Sequence, residues 1–276
     1  MNKRKENWLI ITDLDGTLLD ERNYSFTQAE KALLFLKVKK FPVIPCTSKT
    51  HQEVISLREQ IGLDSPFIVE NGSAVFFDSG YFDISFDEYD IYQNYQYVTL
   101  GKKYEEILKF LRLLKSKFNI GIKGFSEMMI PEIQHYTNMT FEEAQKAKER
   151  FFSEPFITAS ENPPLNKLQE YARQNGYRIL QGNRFYHLLG TSDKGQAIKC
   201  LLKLFRLKFP DYVLNTIGIG DSMNDFELLK NVDIPVLVNK LSGRHQPGIE
   251  IKNLIKTKLP GPAGWQEAIF QIIQKK

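Results

Sequence analysis

The strongest constraint on the fold is a series of short apolar runs that are hydrophobic throughout rather than at alternate positions. Trp8-Leu9-Ile10-Ile11 is the first, and residues 41–46, 66–69, 216–219 and 235–238 follow. Such runs suit strands covered on both faces, as in a parallel sheet, because an exposed face would show a polar residue at every second position. Helix-start signals lie between them. Thr27-Gln28-Ala29-Glu30 and Thr50-His51-Gln52-Glu53 fit the capping box, in which a hydroxyl and a carboxylate satisfy free backbone donors. Asp193-Lys194-Gly195-Gln196 opens a further helical pattern through Ala197, Ile198, Leu201, Leu202 and Phe205. Strand and helix in alternation predict an α/β fold with a doubly wound parallel sheet.

The middle third changes character. Tyr and Phe crowd residues 81–97, where they can pack an interior or offer rings to a ligand. An amphipathic helix is expected over 102–117, and another after the box Thr140-Phe141-Glu142-Glu143. Strands are expected at 156–159, 177–180 and 185–189, the last two joined by a Gly182-Asn183 hairpin turn. Alternating polarity here suggests an antiparallel sheet with helices on one face. The expected organisation is a core at 1–83 and 189–276, with an α+β unit at 84–188 inserted into it.

Composition narrows the function classes. The 276 residues are 42% apolar and 25% charged, and the net charge of +4 is too small to mark a nucleic-acid binder. The lysine clusters at 37–40 and 256–258 suit solvated faces. Two cysteines cannot build a disulfide framework, so a reducing, cytoplasmic setting is expected. The apolar run after the basic start is too short for a signal core, and no stretch approaches the roughly 18 apolar residues of a membrane span. Oligomeric state is not legible.

Two apolar runs end in carboxylates: Asp13-Leu14-Asp15-Gly16-Thr17 after the first, and Gly220-Asp221-Ser222-Met223-Asn224-Asp225 after 216–219. Open α/β sheets bind ligands at the carboxyl ends of their strands. The two clusters therefore suggest one shared site for a hard divalent cation such as Mg2+. Each also has a plainer use, Asp-x-Asp-Gly as a turn and Ser222-x-x-Asp225 as a helix cap. Thr47-Ser48-Lys49 can hold phosphate oxygens at a strand-to-helix turn, or simply lead into the helix capped by Thr50. Lys194 faces the unfavourable end of a helix dipole, which an anionic partner or solvent would relieve. Cys46 fits a small buried residue better than a cysteine nucleophile, since position 52 is Gln where that chemistry needs Arg. The four histidines lack zinc spacing.

At these residues the chain resembles the haloacid dehalogenase (HAD) phosphohydrolase superfamily. Asp13-Leu14-Asp15-Gly16-Thr17-Leu18, Thr47, Lys194 and Gly220-Asp221-x-x-Asn224-Asp225 match its four motifs in order. Thr47-Ser48-Lys49-Thr50, Glu70-Asn71-Gly72, Phe125-Ser126-Glu127-Met128, Arg184-Phe185-Tyr186-His187 and Gly261-Pro262-Ala263-Gly264-Trp265 further resemble the mannosyl-3-phosphoglycerate phosphatase family. Thr137-Asn138-Met139 departs from that family's Thr-Gly-Leu, which bears on the substrate and not on the core chemistry. The resemblance implies a Rossmann-like core, an inserted C2-type cap, and phosphate-ester hydrolysis through an aspartyl-phosphate. Asp13 would be the nucleophile and Asp15 the general acid and base. Mg2+ would be held directly by Asp13 and Asp221, with the Asp15 main-chain oxygen and Asp225 close by. Thr47, Ser48, Lys194 and Asn224 would bind phosphate, and Lys49, Glu127, Arg184 and His187 the rest of a small phosphorylated sugar-glycerate. Packing or solvation accounts equally well for Glu127, Arg184 and His187. Pro260 to Trp265 is expected as a rigid loop. The glucosyl ester, a broader range of sugar phosphates, and a phosphosugar-binding regulator without turnover are the alternatives.

Overall fold

The computed structural model describes residues 5–82, 89–160, 163–182 and 184–273. The chain begins β1 (Lys5–Thr12), α1 (Glu30–Lys39), β2 (Val43–Pro45), α2 (His51–Ile61), β3 (Phe67–Val69), β4 (Ala74–Asp78), β5 (Asp90–Tyr92) and β6 (Tyr95–Thr99). The middle holds α3 (Tyr104–Phe118), β7 (Ile122–Gly124), α4 (Ile130–Thr137), α5 (Phe141–Lys148), β8 (Ser153–Thr158), α6 (Leu165–Gln174), β9 (Arg178–Gln181) and β10 (Tyr186–Leu189). It closes with α7 (Lys194–Lys208), β11 (Tyr212–Gly220), α8 (Phe226–Lys230), β12 (Ile234–Asn239), β13 (Ile255–Pro260) and α9 (Gly261–Ile273). No helix among the described residues is long and apolar enough to cross a membrane.

The core sheet has the order β13-β12-β11-β1-β2, and every pairing in it is parallel. Alternate residues of β1 feed opposite layers. Trp8 and Ile10 pack with Trp265, Ala268 and Ile269 of α9, while Leu9 and Ile11 pack with Ala197, Ile198 and Leu201 of α7. A strand buried on both faces needs an unbroken apolar run, which the sequence supplies. From β1 the chain moves to β2 on one side, and it later returns beside β1 on the other as β11. That reversal of strand order opens a crevice at the carboxyl end of β1.

Two expectations shift. β3 is expected in the parallel sheet; beside the end of β2 it forms an isolated parallel bridge, Cys46 to Ile68, and it pairs antiparallel with β4. The turn Glu70-Asn71-Gly72 reverses the chain, with φ of 46°, 59° and 91° in succession. Residues 90–99, expected in the inserted unit, instead form β5 and β6, which continue the β3-β4 sheet because β6 pairs with β4 along its length. The aromatic residues there pack inward: Tyr97 stacks on Phe76 with centroids 4.6 Å apart. The expected boundary at 83/84 lies outside the described residues. The crossings into the next unit lie side by side, and a Cβ on Gly190 would stand 3.0 Å from the Lys102 nitrogen.

The capping boxes at Thr50 and Thr140 form as expected, each worth about 1 kcal/mol. That at Thr27 does not. The chain makes a 3-10 turn over Thr27–Ala29 first, and α1 starts at Glu30 without a side-chain cap.

The cap is a four-stranded antiparallel sheet, β7-β8-β10-β9, with α3 and α6 on one face. Tyr186 and Leu188 of β10 face those helices, so His187 between them faces the other way. Its cross-strand neighbours are Pro155 and Leu180, and all three line the cleft above the core sheet. Asn183, half of the expected hairpin turn, is outside the described residues; beside it the Gly182 amide donates to the Phe185 carbonyl at 2.9 Å.

Candidate active site

Strand ends bring the acidic residues together. Asp13 follows β1 and Asp221 follows its parallel neighbour β11, in a register that pairs Thr12 with Ile219. A carboxylate oxygen from each of Asp13, Asp221 and Asp225 lies within 4.8 Å of the others. Lys194, at the start of α7, donates to Asp13 Oδ1 at 2.7 Å and Asp225 Oδ1 at 2.6 Å. The other oxygen of Asp225 accepts from the Asp221 and Ser222 amides and from Ser222 Oγ, each at 3.1 Å. Asp225 is thus saturated, and the cap and charge roles weighed for it coexist. Gly16 turns the loop at φ 77°, and a Cβ there would meet Asp221 Oδ2 at 3.1 Å.

Three carboxylates face one ammonium. Burial, reinforced by the Asp225 charge, pushes Asp13 well above the usual carboxylate range, with Lys194 pulling against it. Burial and the Asp225 charge lift Asp221 to about 7. Burial opposes the charge on Lys194, yet the Asp13 and Asp225 carboxylates outweigh it and hold the ammonium above its ordinary range. Surplus negative charge on hard oxygen donors is what a divalent cation takes. With Asp225 engaged elsewhere, Asp13 and Asp221 are the donors suited to hold one. The Asp15 side chain stands apart from this group.

Asp15 belongs to a second charge cluster. Lys49 Nζ sits 3.1 Å from Asp15 Oδ2 and 3.6 Å from Glu53 Oε1. The same ammonium lies 5.0 Å from the centroid of Tyr24, a non-glycine residue at φ 56°. Asp15 Oδ1 has no hydrogen-bond partner among the described residues, which leaves an oxygen free toward a ligand. Thr47 is buried at the end of β2, and its Oγ1 accepts from the Lys49 amide at 3.2 Å. Ser48, Lys49 and Asn224 line the cleft, which encloses about 860 Å³.

The cap wall is only partly as expected. Arg184 and His187 line the cleft. Among the described residues Arg184 donates one bond, to the Thr137 carbonyl at 2.6 Å. His187 Nδ1 has no partner among the described residues, and burial, with the Arg150 charge, lowers the ring to about 3, so it is neutral at pH 7. Glu127 does not reach the cleft. It is exposed and ion-paired with Lys115, because its loop points it back along α3.

Sequence reasoning missed several residues. Glu70 and Arg150, a buried pair 3.4 Å apart, join core to cap, and Arg150 lines the cleft. Tyr24, Glu53, Asn71 and Lys240 line it as well. Pro260 to Trp265 is not a loop; residues 261–265 begin α9. Trp265 Nε1 donates to Thr12 Oγ1 at 3.0 Å, and Thr12 donates to the Asp13 carbonyl at 2.7 Å, so α9 braces the strand end that carries Asp13. Cys46 is fully buried, and burial raises its thiol, as expected of an inert residue.

The haloacid dehalogenase-like hydrolase family matches residues 10–243. A glucosyl-3-phosphoglycerate/mannosyl-3-phosphoglycerate phosphatase of Persephonella marina is 41% identical over 270 residues, covering 97% of each chain. A mannosyl-3-phosphoglycerate phosphatase of Pyrococcus furiosus is 34% identical over 251 residues, 90% of this chain and 98% of that one. Among solved structures, a Thermoplasma acidophilum protein superposes with a TM-score of 0.69 at 17% identity, over 98% of this chain and 100% of the other, which speaks for the fold.

Proposed function

The chain belongs to the haloacid dehalogenase-like hydrolases, and on that premise we propose that it is a phosphatase of glycosyl-3-phosphoglycerates, taking the mannosyl and the glucosyl ester. The observation that carries the reading is the convergence of Asp13, Asp221 and Asp225, with Lys194 bonded to the first and the last, beneath a cleft lined by Arg184 and His187.

Asp13 attacks phosphorus through a carboxylate oxygen, and the bond to the glycerate oxygen breaks. Asp15 gives that leaving oxygen its proton. It then takes a proton from the water that attacks the aspartyl-phosphate, releasing phosphate and restoring Asp13. Lys49 holds Asp15 on the leaving-group side. Lys194 orients Asp13 and offsets the phosphate charge. Thr47, Ser48 and Asn224 meet the phosphate oxygens. Asp13 and Asp221 would hold Mg2+, which supplies positive charge to offset the dianion. Arg184, which lines the cleft, would read the glycerate carboxylate with its planar fork of donors. Glu127 is left out of the sugar site.

We place the cap from about residue 101 to 189 rather than from 84, since β5 and β6 belong with the core side. The test is phosphate release from both esters with Mg2+. Release should vanish with EDTA and in Asp13→Asn. A comparable kcat/KM on glucose 6-phosphate would defeat the narrow substrate, and tight binding of either ester without phosphate release would defeat hydrolysis.

A further inference from the structure

The Glu70–Arg150 pair takes no part in the steps above, yet it is among the most heavily bonded groups in the molecule. Glu70 is fully buried. Its carboxylate accepts from the Phe151 amide at 2.9 Å, the Phe152 amide at 3.2 Å, Ser153 Oγ at 2.7 Å and Arg150 Nε at 3.4 Å. All four donors come from the cap. Its own backbone faces the core loop instead: the Glu70 amide donates to the Lys49 carbonyl at 3.0 Å, and the Asn71 amide to the Thr47 carbonyl at 2.9 Å. Two residues on, a Cβ at Gly72 would fall 2.2 Å from the Asp193 carbonyl oxygen and 2.6 Å from the Lys194 nitrogen. The turn 70–72 therefore touches the phosphate-side loop, the start of α7 and the cap at once.

Arg150 closes this arrangement. Its NH2 donates to the Ser48 carbonyl at 2.7 Å. The peptide that carries that carbonyl also carries the Lys49 N–H, which donates to Thr47 Oγ1. A trans peptide is a rigid plane whose C=O and N–H point opposite ways. Holding the Ser48 oxygen therefore sets the direction of the Lys49 N–H, which in turn fixes Thr47 Oγ1 as an acceptor and leaves its proton free to donate. The same plane sets the direction in which the Lys49 side chain leaves toward Asp15, 3.1 Å away.

We propose that Arg150 is a positioning residue supplied by the cap, which locks the 48–49 peptide so that Thr47 and Lys49 are aligned for phosphoryl transfer only while the cap is seated on Glu70. The proposal rests on the phosphatase reading and not on the identity of the sugar. Arg150 acts through the loop, so its effect follows the phosphoryl group of any substrate, however small.

The experiment compares wild type, Arg150→Lys and Arg150→Ala on p-nitrophenyl phosphate and on mannosyl-3-phosphoglycerate. Inorganic phosphate binding with Mg2+ is measured by calorimetry alongside thermal unfolding. A misplaced loop costs about a hundredfold in rate. Expected is a fall of about that size in kcat on both substrates in Arg150→Lys, with KM on each and the affinity for inorganic phosphate changed less than about threefold. Lysine keeps the charge and loses the planar fork, so full activity in Arg150→Lys would overturn the proposal. A rise in KM confined to the sugar ester would also overturn it, by making Arg150 a substrate contact. Unchanged kcat in both variants with only a lower Tm would do the same, by making the pair structural. Failure of wild type on the sugar ester with normal turnover of the aryl phosphate would sink the substrate assignment and leave this comparison readable.

Discussion

The floor and the roof of the cleft are built on different principles. On the floor, charges interlock: Lys194 answers Asp13 and Asp225, and Lys49 answers Asp15 and Glu53. Removing Lys194 leaves two buried carboxylates without their cation. On the roof, Arg184 spends one donor on a backbone carbonyl, and His187 presents an unpartnered nitrogen among the described residues. The floor is over-determined and cannot drift without losing the chemistry. Among the described residues the roof keeps spare hydrogen-bonding capacity.

The contrast can be broken from the floor first. Asp13→Asn should lower kcat by about 10^4-fold or more with the fold intact, measured by phosphate release and circular dichroism. Retained turnover would remove the proposed nucleophile. Lys194→Met should destabilise the protein by about 3–5 kcal/mol, because two carboxylates are left facing each other. Urea unfolding reads this, and an unchanged midpoint would show that the floor is not interlocked. The roof predicts a smaller, substrate-specific effect. Arg184→Ala should cost about 2 kcal/mol of binding, seen as a KM raised roughly thirtyfold for the phosphoglycerate ester. Its kcat on p-nitrophenyl phosphate should stay put; a parallel loss there would place Arg184 in the chemistry.

Protons supply a finer test. Asp221 is lifted to about 7 in the metal-free protein and Asp13 is raised as well, so a cation must displace protons to bind. Mg2+ affinity should therefore rise with pH through about 7, as the protons on Asp221 and Asp13 are displaced. Below 7 it should weaken about tenfold per pH unit for each proton released, read by calorimetry in buffers of different ionisation heat. A flat profile from pH 5 to 8 would contradict the crowded carboxylates. The smallest effect is the most local. Glu127→Ala, on a side chain turned toward Lys115, should leave KM within about twofold.

The sequence made the floor readable because each of its residues follows a strand end or opens a helix. Asp13, Thr47 and Asp221 close apolar runs, and Lys194 follows the N-cap Asp193. Local pattern sets such positions, and the parallel sheet then does the assembling. The Glu70–Arg150 contact had no such signal, since it joins residues eighty positions apart across two units. The brace from Trp265 to Thr12 spans 253 positions. Glu127 misled for the opposite reason: composition marks a polar loop and is silent on which way it faces. Thr27 failed because a capping-box pattern does not forbid a 3-10 turn ahead of the helix. The aromatic run 81–97 gave no hint that its strands would return to β4 rather than lead outward.

The ladder that sets His187 between Pro155 and Leu180 has an evolutionary corollary. Were β10 to slip one residue against its partners, Tyr186 and Leu188 would swing into the chamber and the imidazole would sink among hydrocarbon. A change of length in the neighbouring turn would thus recast the chamber wall with no substitution in it, and because β10 pairs with the strand that carries Ser153, the seat on Glu70 would register the slip as well.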